Sequence, residues 1–181
     1  MKNITLKLIA IILALSAIFT AVIVPVGAVS AENAEEIKLF HYTINDNGSL
    51  CISSINAPDE DVVIPSEIDG KLVTTFEGNI VAKTVRFPEK MTTIEGSIIT
   101  EEITVDENNP NFCSLDGVLF NKEKTELVAY PMLSDVESYV LPEIVVCVGW
   151  YAFSFLGPNT KLKKLILEKN VKEFNSLDAS F

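Results

Sequence analysis

One short apolar phrase recurs along this 181-residue chain, and it restricts the fold more than any other feature. Two apolar residues flank a variable one in Val62-Val63-Ile64, Val85-Arg86-Phe87, Ile103-Thr104-Val105, Tyr139-Val140-Leu141 and Leu165-Ile166-Leu167. Proline follows three of the five directly, at Pro65, Pro88 and Pro142. In three turns a second apolar pair stands four and seven residues further on: Met91 with Ile94, Val145 with Val148, and Val171 with Phe174. After the first phrase the pair is Val73 and Phe76, displaced by five residues around Asp69-Gly70, which reads as an inserted surface loop. Self-similarity of this kind marks a repeat architecture.

The alternation apolar, variable, apolar has the two-residue period of a strand, so each phrase predicts a short strand with its middle side chain outward. A proline directly after a strand has no N–H for a ladder and acts as a corner. The last strand positions, Ile64, Phe87, Val105, Leu141 and Leu167, follow one another at steps of 23, 18, 36 and 26 residues. Each step is one turn of a solenoid, and the step of 36 carries an insertion. Stacked turns bury an apolar ridge from each coil against its neighbours, so these positions are expected to form one continuous spine.

Two hairpins are expected beside the stack. Val118-Leu119-Phe120 and residues 127–130 flank the polar stretch 121–124 and read as a hairpin projecting from it. Residues 40–44 and 50–55 flank Asp46-Asn47-Gly48, where Asn-Gly supplies the positive φ angles of a tight turn. That hairpin would cap the first coil, whose ridge is otherwise bare. The expected organisation is thus a capping hairpin at about 38–56, repeats at about 57–105 and 139–175, and an inserted hairpin at about 106–138.

Ahead of this domain, Lys2 and Lys7 precede an uncharged run from Leu8 to Ala31 that Pro25 and Gly27 interrupt. Small residues close it at Ala28 and again at Ala31, the pattern of an export signal cleaved at one of these sites, with Ala31 favoured. A retained membrane anchor is the alternative, since the run is long enough to span a bilayer. Residues 32–181 then form a single domain with 12 basic and 25 acidic residues, a net charge of −13. Nucleic acid is excluded as a natural partner, because phosphate contacts need clustered Lys and Arg.

The chain has Cys51, Cys113 and Cys147, an odd number that cannot all pair within one molecule. Cys147, between Val145 and Val148, reads as a small buried hydrophobe, and a Cys51–Cys113 bridge remains open. The spacing does not match a zinc site.

Two longer motifs resemble the BspA-like leucine-rich repeats of bacterial secreted and surface proteins. They are Val62-Val63-Ile64-Pro65-Ser66-Glu67-Ile68-Asp69-Gly70-Lys71-Leu72-Val73 and the stretch from Asn109-Pro110-Asn111-Phe112 through Ser114-Leu115-Asp116-Gly117-Val118-Leu119-Phe120-Asn121-Lys122 to Thr125-Glu126-Leu127-Val128-Ala129-Tyr130-Pro131. The resemblance covers residues from about 40 to 175. It implies a right-handed leucine-rich-repeat solenoid of short parallel strands with little helix, secreted or displayed at the cell surface, binding or adhering to an extracellular protein or other cell-surface ligand. The chain departs from the family pattern in having Ala-Phe after the second apolar pair only at Ala152-Phe153.

In such a stack the middle strand residues Val63, Arg86, Thr104, Val140 and Ile166 share one exposed face. Three of the five are apolar, and an exposed apolar stripe marks an interaction surface, although β-branched residues also suit strands for packing alone. Catalysis has thinner support. His41 is the only histidine and has no nucleophile and carboxylate beside it in sequence. Asp59, Glu60, Asp61, Glu101 and Glu102 offer carboxylates for a hydrolase, yet they occur as short acidic runs that read as solvated charge. An EF-hand through Asn45-Asp46-Asn47-Gly48 fails, with Thr43 at the first ligand position and Ser54 in place of the bidentate glutamate. No phosphate loop or dinucleotide fingerprint occurs, so no cofactor and no metal is expected. Only seven residues follow Phe174, so the last ridge is expected to lie open, favouring self-association or continuation in a longer extracellular protein, and a structural spacer with no ligand is the alternative to a binding module.

Overall fold

The computed structural model describes residues 39–154 and 160–175, so the expected export segment at 1–31 lies outside the described residues. Among the described residues there are thirteen strands and no helix. They are β1 (Phe40–Ile44), β2 (Leu50–Val63), β3 (Glu67–Ile68), β4 (Lys71–Phe87), β5 (Thr93–Ile99), β6 (Glu102–Val105), β7 (Phe112–Leu115), β8 (Val118–Asn121), β9 (Glu126–Ala129), β10 (Ser138–Val140), β11 (Cys147–Val148), β12 (Lys164–Ile166) and β13 (Glu173–Phe174).

The early coils contain more strand than one phrase each. β4 runs parallel to β2 along three stretches: Leu50 to Ile52 beside Val73 to Phe76, Ser54 to Ala57 beside Asn79 to Ala82, and Asp61 to Val63 beside Thr84 to Arg86. On its other side β5 continues the first two ladders, from Thr93 opposite Thr75 to Ile99 opposite Val81. β6 continues the third, from Glu102 opposite Thr84 to Val105 opposite Phe87. Three extended sides per coil replace the one strand per coil read from the sequence. The register shifts at Leu50/Cys51, Ile52/Ser54 and Ala57/Asp61 are the reason, since each bulge bends the chain and breaks the two-residue alternation.

Turn chemistry follows the sequence closely but not always as expected. Asp69 and Gly70, at φ 50° and 75°, join β3 to β4 as a two-residue hairpin, and Ile68 is buried beside them, so the segment is a structured turn. In the β1–β2 loop only Gly48 is left-handed, at φ 83°, while Asn47 instead accepts hydrogen bonds on Oδ1 from the Ser49 amide and hydroxyl. Gly48 N donates to Asn45 O, giving a reverse turn followed by one glycine in the left-handed region. Because Leu50 to Ala57 already pair in parallel with β4, the second arm of this hairpin is the first coil itself, and β1 alone lies antiparallel outside it.

Burial divides the interior into two clusters rather than one spine. The first gathers Ile52, Ile64, Val73, Phe76, Ile80, Val85, Phe87, Met91 and Ile103. The second gathers Val118, Phe120, Leu127, Tyr130, Leu141, Val145, Val148 and Phe153. Between them stands the antiparallel trio β7, β8 and β9, whose first turn is Asp116-Gly117 at φ 52° and 75°. Leu119 and Ala129 face the first cluster, whereas Val118, Phe120 and Leu127 belong to the second. The insertion therefore does not project: Leu119, Phe120 and Leu127 are all fully buried. A strand with both faces covered shows an unbroken apolar run, and Val118-Leu119-Phe120 is one.

Leu167 departs from the expected ridge as well. Ile64, Phe87 and Leu141 are at most 1% exposed, but Leu167 is 45% exposed and Phe174 38%. Both lie in the last coil, where no further described coil covers them, and Phe174 keeps part of its burial by stacking on Phe153 at a ring separation of 6.4 Å.

Candidate functional site

The ladder geometry sorts the five middle strand residues into two groups. Val63 lies opposite Arg86, and Arg86 opposite Thr104, so these three form one continuous row across β2, β4 and β6. Val140 lies opposite Ile166 on the separate β10–β12 pair. Val63 and Val140 are more than half exposed, Arg86 is exposed, and Thr104 and Ile166 are half-buried.

The Val63 row ends in a concavity of about 370 Å³ whose walls include Val63, Pro65, Arg86, Pro88, Glu89 and Asp106. The two corner prolines place it there, because each turns the chain directly after a buried strand end, Ile64 or Phe87. Arg86 Nη2 donates to Asp106 Oδ2 at 3.1 Å. The Asp106 carboxyl sits below the ordinary carboxylate range, first because the Asn108 amide donates to it and then because of Arg86. A half-immobilised guanidinium beside an exposed apolar side chain can recognise a partner by shape and hydrogen bonding.

The carboxylates singled out in the sequence are spread along strand edges. Asp61 lies opposite Thr84 and accepts from its hydroxyl at 2.9 Å, and Thr84 lies opposite Glu102, so two rungs separate Asp61 from Glu102. Asp59, Glu60, Asp61, Glu101 and Glu102 are all exposed. His41 is exposed on β1, where its carbonyl accepts from the Ser53 hydroxyl. Cys51, Cys113 and Cys147 are free thiols, and burial pushes each of them above the ordinary thiol range, which suppresses the thiolate that reactivity needs.

Sequence reasoning missed a second concave surface. Glu126 of β9, Trp150 and Tyr151 share a cleft with Glu95 of β5 and Asn121 of β8. Asn121 holds the β8–β9 turn by accepting from the Glu126 amide at 3.0 Å and donating to Thr125 Oγ1 at 2.9 Å. Gly149 packs so closely on β9 that an added Cβ would stand 3.0 Å from Leu127 O and 3.1 Å from Glu126 Oε1. Trp150, the next residue, lines the same cleft as Glu126. The available hint was the run Gly149-Trp150-Tyr151, which carries the chain's only tryptophan outside any repeat position.

No family model and no curated protein matches the sequence. Two solved structures are similar to it. One is the pneumococcal vaccine antigen PcpA, at 23% identity and a TM-score of 0.48, with 64% of this chain and 35% of that chain covered. The other is a leucine-rich repeat protein from Eubacterium ventriosum, at 18% identity and a TM-score of 0.48, with 75% of this chain and 59% of that chain covered. This chain therefore spans about a third of the first and three fifths of the second.

Proposed function

We propose that this chain is a non-catalytic, BspA-like leucine-rich-repeat module, a right-handed solenoid that is exported and binds an extracellular protein or cell-surface glycan. The observation that carries this reading is the in-register row Val63, Arg86 and Thr104, which presents an exposed apolar side chain and a charged one on a rigid ladder. Valine suits the end of β2 as a strand residue, and Val63 at 57% exposure also has its side chain open to contact a partner. The neighbouring concavity offers shape, and Arg86 offers a hydrogen-bond fork that Asp106 already orients.

Val63→Asp and Arg86→Asp test the reading. The mature chain is titrated against a panel of matrix proteins and polysaccharides by surface plasmon resonance, with a hydrolysis assay on the same polysaccharides. The expected result is one saturable interaction that Val63→Asp weakens by about tenfold or more, with unchanged circular dichroism and no turnover. Turnover lost on changing Glu101 or Glu102, or a partner bound by both Asp variants as tightly as by the parent, would overturn it.

A further inference from the structure

The second cleft, about 430 Å³, opens between the β5 edge and the β7–β9 sheet and is independent of the Val63 row. Its chemistry is one-sided. Glu95 and Glu126 contribute two carboxylates, Phe112, Trp150 and Tyr151 three aromatic rings, and no lining residue is basic. Trp150 is 57% exposed, so its indole face is open to an occupant. Glu126 is half-buried, and among the described residues no cation forms an ion pair with it. Burial raises its carboxyl above the ordinary range, and the nearby Glu173 raises it further. A carboxylate held partly out of water and next to a like charge is stabilised most by an incoming cation.

We propose that this cleft binds an arginine side chain presented by a basic partner peptide, with Glu126 and Glu95 pairing to the guanidinium and Trp150 stacking on it. Arginine fits better than lysine because its planar, weakly hydrated head both stacks on an indole and donates two parallel hydrogen bonds to a carboxylate. The whole chain supports the same sign of partner, since its net charge of −11 draws cationic segments toward it. A neutral oligosaccharide could stack on the rings and donate hydroxyls to the carboxylates, but it would leave the Glu126 charge uncompensated.

Trp150 is the only tryptophan, so its fluorescence reports directly on this cleft. The full chain is titrated with a triarginine peptide at physiological ionic strength. The expected result is a saturable fluorescence change, weakened about tenfold by Glu126→Gln through loss of a charge-assisted pair. Glu95→Gln, at an exposed strand position, should weaken it about threefold and keeps the test decisive should the first variant fold poorly. Glu60→Gln removes the same charge from exposed β2 and should leave the affinity unchanged. Equal weakening by the Glu60 and Glu126 variants would reduce the effect to diffuse attraction and overturn the site. So would an unresponsive Trp150, or cellotriose saturating the signal where triarginine does not.

Discussion

Gly96 lies directly opposite Gly78 in the β4–β5 ladder, so close that a Cβ on Gly96 would stand 2.1 Å from the Gly78 carbonyl oxygen. A Cβ on Gly78 would in turn stand 1.9 Å from the Ser53 carbonyl oxygen, so three coils meet at one corner with no room for a side chain. Both glycines also hold positive φ, 156° and 128°, a region that residues with a Cβ rarely adopt. Gly78→Ala and Gly96→Ala are each expected to cost about 3 kcal/mol or more, from backbone strain and overpacking together. Urea unfolding with an unchanged m-value measures this, and a loss below about 1 kcal/mol would show that the corner relaxes freely.

Leu119 and Phe120 are sequence neighbours that enter different cores. Leu119→Ala should cost about 2–5 kcal/mol and Phe120→Ala about 3–5 kcal/mol. Because their side chains fill separate clusters, the double variant should lose the sum of the two within about 0.5 kcal/mol. A larger coupling energy in the double-mutant cycle would mean that the two cores behave as one.

Asn109 is fully buried and uses its whole amide. Its Nδ2 donates to Pro88 O and Met91 O at 3.0 Å each, and its Oδ1 accepts from the Asn111 and Phe112 amides at 2.8 Å each. Asn109→Leu preserves volume but strands the amides of Asn111 and Phe112 and takes one of two donors from each of the Pro88 and Met91 carbonyls, which keep Met91 N and Asn111 Nδ2, so a loss of about 2 kcal/mol or more is expected. Asn109→Asp should be worse at neutral pH, since a carboxylate oxygen would then face two carbonyls. Thermal melts of the two variants at pH 7 rank them, and Asp milder than Leu would contradict this account.

Thr100 presents the opposite case, because its buried hydroxyl has no hydrogen-bond partner among the described residues. Thr100→Val keeps the shape and removes the unsatisfied oxygen. The expected change is neutral to stabilising by about 1 kcal/mol, read from the midpoint of chemical unfolding. Clear destabilisation would mean that the hydroxyl has a partner after all.

Glu126 makes stability depend on pH in a defined direction. Its folded carboxyl is raised, chiefly by burial and then by Glu173, so the folded protein holds this proton more tightly than the unfolded chain does. The charged form is therefore a cost at neutral pH, and that cost disappears as pH falls through the raised value toward the ordinary carboxylate value of 4.5. Glu126→Gln should be more stable than the parent at pH 7 and show no advantage near pH 4. An advantage that grew on acidification would reverse the assignment.

Much of the fold was legible in the sequence because its information is local. Ile64, Phe87 and Leu141, each at the end of an apolar alternation, had to be buried, whereas Asp69-Gly70 read as a surface loop and is a hairpin turn with Ile68 buried beside it. The side of the sheet that Val63, Arg86 and Thr104 share also follows from period and register alone. Glu126 and Trp150 were not legible as a pair, since they are brought together only where Gly149 packs on β9. Nor was the side-chain network of Asn109, although its motif stood out, because each of its four partners is a backbone group.

By itself the sequence determined that successive turns would stack, which residues would close their corners, and which strand ends would be apolar. Tertiary structure alone decided that β7–β9 would divide the interior into two cores and that a cleft would open beside β5. The reason is that strand formation answers to a few neighbouring residues, whereas burial on a second face depends on which distant segment arrives to cover it.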